Sequence, residues 1–196
     1  RWGGDGLPFV LCHGFSGSTH DFALSIEHFA ASRPVVSVDH RGHGRSEKLG
    51  TTDGYSLDRL AADLIALIES AAEGPVDLLG HSMGGAISLR LTLQRPDLVR
   101  SLILMDTSGW SFVPSDPTVA ALMTAFIAGF DPAGGLPNLG TAEGPEHPLI
   151  QQATPTEWQA IKEQMAASFD PYALKALGSD LFDGNHAEVR ARLGEI

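Results

Sequence analysis

Short apolar runs alternate with segments of helical period through the first half of the chain. Phe9-Val10-Leu11-Cys12, Val35-Val36-Ser37-Val38, Val76-Asp77-Leu78-Leu79 and Ser101-Leu102-Ile103-Leu104-Met105 are bounded by Gly, Pro or Asp, which predicts four strands. Between the first two, Phe22, Ile26, Phe29 and Ala30 fall on one face of a helix predicted from about 21 to 31 and closed by Pro34. The best-defined helix has Ser56 as N-cap, Leu57, Leu60, Ala61, Leu64, Ile65 and Ile68 along one face, and Gly74-Pro75 as its stop. A third carries Ala86, Leu89 and Leu93 as far as Arg95-Pro96. Strand and helix in alternation predict an α/β fold, a mostly parallel sheet with helices on both faces. After Trp110 the strand rhythm disappears. Residues 117–130 and 155–178 read as helices around a Gly/Pro-rich stretch, 131–148, so a helical insertion is expected there.

The residues that carry chemistry stand where strands end. Gly80-His81-Ser82-Met83-Gly84 has the form G-x-S-x-G between an apolar strand and a helix, the context that pushes a serine hydroxyl out of a tight turn. Small flanking residues relieve the crowding. The ordinary alternative is a glycine-rich strand end with an incidental serine. Acyl transfer to a serine also needs donors aimed at the developing oxyanion. Met83 supplies a backbone N–H by position, and Phe15, in the turn His13-Gly14-Phe15-Ser16-Gly17, can supply another. That turn lies at the carboxyl edge of the sheet, where α/β proteins bind ligands, although it can also be read as a turn alone.

Composition narrows the classes. The 196 residues are 43% hydrophobic and 19% charged, ordinary for one globular domain. The net charge of −11 comes from scattered carboxylates, which works against nucleic acid or an anionic membrane as partner. Cys12 is the one cysteine, so neither an internal disulfide nor a zinc cluster is expected, and a reducing, cytoplasmic setting fits. No apolar run approaches a membrane span, and Arg1-Trp2-Gly3-Gly4-Asp5-Gly6 does not read as a signal peptide. Neither a G-x-G-x-x-G after a strand nor a P-loop lysine points to nucleotide binding.

Phe9 to Gly17, Asp39 to Ser46, Gly80 to Gly85 and Leu102 to Ser108 together resemble four successive landmarks of the α/β-hydrolase superfamily. The resemblance implies an eight-stranded sheet, of which strands three to six are visible, followed by a helical cap. It implies Ser82 as nucleophile, Phe15 and Met83 as the oxyanion-hole amides, no metal or organic cofactor, and the Asp39 to Ser46 loop as a supporting turn. The expected partition is 1–109 core, 110–188 cap and 189–196 a return toward further core strands. The expected substrate is a small, apolar, ester-like molecule. Lactone hydrolysis, carbon–carbon bond hydrolysis and cofactor-free perhydrolysis use the same kind of site, and a non-catalytic ligand-binding module is the alternative from another class. Serine rather than aspartate at 82 counts against dehalogenase and epoxide hydrolase chemistry. Trp110, Phe112, Phe126, Phe130 and Trp158 could line a cap pocket, with core packing the favoured reading for most.

In this superfamily the order along the chain is serine, acid, histidine. The acid and the base are therefore expected beyond Ile196, and the gene product is expected to be longer at both ends. Of the histidines in the chain, His13 belongs to the oxyanion turn and His40 and His43 to the supporting loop. His81 should point away from its neighbour Ser82, and His20, His28 and His147 read as surface residues. His186 follows a possible acid in the right order but lies in the cap's exit segment. Asp106, at the end of the fourth strand, is the alternative acid, against the ordinary reading of a capping aspartate.

Overall fold

A computed structural model describes residue 3 and residues 5–109, 116–130, 168–183 and 186–196. Four parallel strands, β1 (Phe9–Cys12), β2 (Val35–Val38), β3 (Val76–His81) and β4 (Val99–Met105), form one sheet in the order β2-β1-β3-β4. Crossovers between parallel strands need helices, and these cover both faces. Along β1, Val10 and Cys12 point into one apolar cluster, while Phe9 and Leu11 point into another. The first is filled by α2 (Leu57–Ala71) and α3 (Met83–Gln94), the second by Phe22 and by Ile26 of α1 (Ile26–Ala30).

Helix α2 follows its sequence pattern. Ser56 Oγ accepts from Arg59 N at 3.1 Å, and Leu57, Leu60, Ala61, Leu64 and Ile68 are buried. The single helix expected over 21–31 is instead a 3-10 turn, Thr19–Phe22, followed by the short α1. Ser18 and Asp21 form a reciprocal capping box, and the amides of Asp21, Ala23 and Ser25 bond three residues back rather than four, so the chain starts one turn early and tightens. Strands β3 and β4 are each two residues longer than their apolar runs, because the ladder between them continues from Val76↔Val99 to His81↔Met105. Asp77, buried at the foot of β3, accepts from Arg33, Arg100 and Ser101 and ties the sheet's amino edge together.

In the second half, α4 (Pro117–Ala128) matches its expected segment. Helix α5 (Pro171–Asp183) runs beyond the expected end at 178, because Leu177 and Leu181 both pack onto the main core. The part of the expected helix from 155 to 167 lies outside the described residues, as do Trp110, Phe112, His147 and Trp158. Phe130 is fully buried against Phe169 and Leu174, whereas Phe126 is 41% exposed. The segment 189–196 lies in α6 (Ala187–Arg192) and a final 3-10 turn, with Val189 packed on Leu89 and Leu93 of α3. At the open side of β4, Ile103, Leu104 and Met105 are 46%, 45% and 39% exposed, the apolar sheet edge that natural proteins ordinarily cover.

Candidate active site

The carboxyl ends of β1, β3 and β4 converge, and the site is built from the residue that leaves each one. Between β3 and α3 there is a single residue, Ser82. Reversing from strand to helix in one step forces it to φ 50° and ψ −115°, a region that costs a non-glycine residue on the order of 1–3 kcal/mol. The turn is pinned on both sides: Ser82 N donates to Met105 O at 2.9 Å, and Thr107 Oγ1 donates to Ser82 O at 2.8 Å. Ser82 occupies the N-cap position of α3, yet its hydroxyl makes no capping bond. Among the described residues the strain therefore serves no structural bond of that side chain, which leaves the hydroxyl available at the sheet's ligand-binding edge.

Close packing demands glycine at 84. A Cβ there would stand 2.5 Å from the carbonyl oxygen of Cys12 and 2.6 Å from that of His13, both backbone atoms that cannot swing aside. Gly84→Ala is expected to cost about 2–3 kcal/mol of stability and to push the 13–17 turn away from Ser82. Thermal denaturation checks this against Gly194→Ala, where a Cβ meets nothing within 4 Å.

The 13–17 turn lies directly against Ser82: a Cβ on Gly14 would be 3.4 Å from Ser82 Cβ and 3.0 Å from His81 Nδ1. His81, half-buried, thus has its Nδ1 against the turn. Gly14 O accepts from Gly17 N at 3.0 Å and from His13 Nδ1 at 2.8 Å. Among the described residues no peptide bond is cis, so the Phe15 N–H points opposite to that occupied carbonyl. Met83 N–H is the first amide of α3, at the positive end of the helix. Among the described residues neither amide has a hydrogen-bond acceptor. An uncommitted hydroxyl and two uncommitted amides at one sheet edge are chemically suited to attacking a carbonyl and receiving the resulting oxyanion.

Beneath the turn lies a group of buried imidazoles that sequence reasoning placed only as loop members. His13 accepts from His40 N at 3.0 Å through Nε2, and the His13 and His40 rings are 4.5 Å apart. His43 Nε2 donates to Phe15 O at 2.8 Å, and its Nδ1 lies 3.1 Å from Arg41 O. Burial pushes all three below the ordinary histidine value: His13 well below it, His40 to about 3, and His43 downward although the Phe15 and Arg41 carbonyls beside its ring nitrogens favour the charged form. The supporting loop turns on Asp39, which accepts from Thr19 N at 2.7 Å and Arg45 N at 3.2 Å. Burial alone would raise the Asp39 carboxyl, but these donated amides outweigh it and hold it below the usual carboxylate value.

His20 and His28 are exposed, as expected. His186 is buried away from the nucleophile, its Nδ1 accepting from Arg90 at 2.8 Å and its Nε2 donating to Asp180 O at 3.0 Å. Among the described residues no histidine is hydrogen-bonded to Ser82 Oγ. Asp106 follows Met105 on the strand end beside Ser82, is exposed, and has φ 48°; it and Ser82 are the non-glycine residues in that region of backbone space among those described.

A family model described as alpha/beta hydrolase fold matches residues 8–178. The chain belongs to the alpha/beta hydrolase fold family. As a member of that family it is 35% identical over 103 residues to (E)-2-((N-methylformamido)methylene)succinate hydrolase of Acinetobacter baylyi, covering 53% of this chain and 38% of the relative. It is 29% identical over 198 residues to 2-hydroxymuconate semialdehyde hydrolase of Pseudomonas putida, covering 96% of this chain and 67% of the relative. Among solved structures, Est816, described as an N-acyl homoserine lactone degrading enzyme, superposes with a TM-score of 0.70 at 25% identity over 100% of this chain and 72% of that one. The chain spans about a third of the length of several curated relatives that it matches. No helix among the described residues is long and apolar enough to cross a membrane, and no group of three or more His, Cys, Asp or Glu among them could hold a metal ion.

Proposed function

We propose that this family member is a serine hydrolase of carboxylic esters or similar acyl compounds and that Ser82 is its nucleophile. Ser82 Oγ attacks the carbonyl carbon and gives its proton to a base; the oxyanion that forms rests on the Phe15 and Met83 N–H groups. Collapse releases the alcohol, which takes the proton, and water then frees the acyl group from Ser82. The observation that carries this reading is Ser82 itself, held at φ 50° with a hydroxyl that caps nothing. A binding module has no use for that strain, which weighs against the non-catalytic alternative. The substrate proposed is a small, apolar ester. The likeness to Est816, a lactone-degrading enzyme, supports extending the class to lactones.

The base and its acid are proposed to come from protein outside these 196 residues, docked along the open edge of β4. The exposed Ile103, Leu104 and Met105 support that placement, since further strands there would bury them. The test is release of p-nitrophenol from a short p-nitrophenyl ester by the full-length protein. Turnover above the buffer rate supports hydrolase chemistry, and its absence from folded full-length protein overturns it.

A second reading concerns the acid. The positive φ of Asp106 on the strand end next to Ser82 favours it as the carboxylate that orients the base. If it has that role, Asp106→Asn lowers kcat by roughly 10⁴-fold with KM little changed. A kcat within about tenfold of wild type makes Asp106 a turn residue.

A further inference from the structure

We infer that His43 is a positioning residue of the oxyanion hole: it holds the Phe15 carbonyl, and with it the Phe15–Ser16 peptide that follows the donor amide, so that residue 15 stays fixed with its N–H toward Ser82. The inference rests on the serine hydrolase reading above. Residues 15 and 43 lie in different loops, after β1 and after β2, and the 2.8 Å bond from His43 Nε2 to Phe15 O joins them directly. A backbone donor works as part of an oxyanion hole only if the peptides on both sides of its residue are fixed, because catalysis depends on a dipole already in place when charge develops. The Gly14 carbonyl on the amino side of Phe15 is held by His13 and Gly17. On the carboxyl side, His43 supplies the bond that holds the Phe15 carbonyl.

The His43 ring is itself packed on two sides, by the rings of His13 and Phe169. Its Nδ1 faces Arg41 O at 3.1 Å, and its ring lies 5.0 Å from that of His13 and 5.9 Å from that of Phe169. The backbones of His43 and Phe169 also form an isolated antiparallel bridge, and Asp170 N donates to Gly42 O at 2.9 Å. The segment leading into α5 is therefore laced to the loop that carries His43. Phe15 is meanwhile held by its ring, which packs edge-to-face on Phe130 at 5.8 Å. His43 joins the second half of the chain to the oxyanion turn through the carbonyl of the residue that donates to substrate.

Two polar variants separate this role from simple packing. In His43→Gln the side-chain amide reaches the place of Nε2 and can donate to Phe15 O. In His43→Asn it reaches only the place of Nδ1, toward Arg41 O. With full-length protein and a p-nitrophenyl ester, Asn is expected to lower kcat by roughly tenfold to a hundredfold with KM within about twofold. Gln is expected to recover kcat to within about threefold of wild type. Thermal melting checks that both variants fold. Equal kcat for the two variants, a loss confined to KM, or failure of either to fold overturns the inference by making His43 a packing residue. If wild-type protein shows no turnover that depends on Ser82, the hydrolase reading falls and this inference with it. If wild type turns over and the two variants match, only this inference falls.

Discussion

Ser82→Ala is expected to lower kcat on an ester by at least about 10⁴-fold while leaving the fold and melting temperature near those of wild type. The size follows from the mechanism: without the hydroxyl no acyl-enzyme forms, and only oxyanion stabilisation and binding remain. The small structural effect follows from the geometry. The hydroxyl makes no capping bond, while the bonds that hold the turn use the backbone of Ser82, which alanine retains. The positive φ is no easier for alanine than for serine. Steady-state kinetics and a melting curve on the same preparation check both halves. A variant with more than about a tenth of wild-type kcat would move the chemistry to another residue.

Acid is expected to destabilise this protein before its carboxylates are protonated. His13, His40 and His43 are buried, and burial lowers each below the unfolded value near 6.5, so the folded state resists protons that the unfolded state accepts. The unfolded chain then binds more protons, and stability falls as pH drops through 6.5, by up to about 1.4 kcal/mol per pH unit for each histidine. That loss ends only where the folded imidazoles titrate, which for His40 is about 3. At pH 5, His40 alone costs about 2 kcal/mol. The three together should lower the melting temperature by on the order of 10 °C between pH 7.5 and pH 5. A melting temperature that stays flat over that interval would show that these imidazoles are solvated or already charged. The cluster lies under the oxyanion turn, so at low pH activity should also decline with the fold.

The parts of this site that were legible in the sequence are those fixed by neighbours along the chain. β1 and β2 have the bounds their apolar runs predict, and Ser82 stands between strand and helix because Gly80, Gly84 and the flanking patterns are local signals. The 21–31 helix was misread because apolar spacing does not reveal a capping box. Ser18 and Asp21 compete for the first-turn amides and tighten the chain into a 3-10 turn. The bond from His43 to Phe15 was not legible, since it spans loops after two different strands and only sheet pairing brings them together. The same holds for Tyr55 Oη, which donates to Asp170 Oδ2 at 2.6 Å across 115 residues of sequence. The Asp-Pro step at the start of α5 marks a helix beginning but carries no sign of that partner.

The central claim is that Ser82 is the nucleophile, and covalent labelling tests it most directly. Full-length protein treated with a fluorophosphonate, digested and sequenced by tandem mass spectrometry is expected to carry the phosphonyl group on Ser82, with loss of esterase activity in step with labelling. A stoichiometric adduct on any other residue, or full inactivation with Ser82 unmodified, would contradict the account.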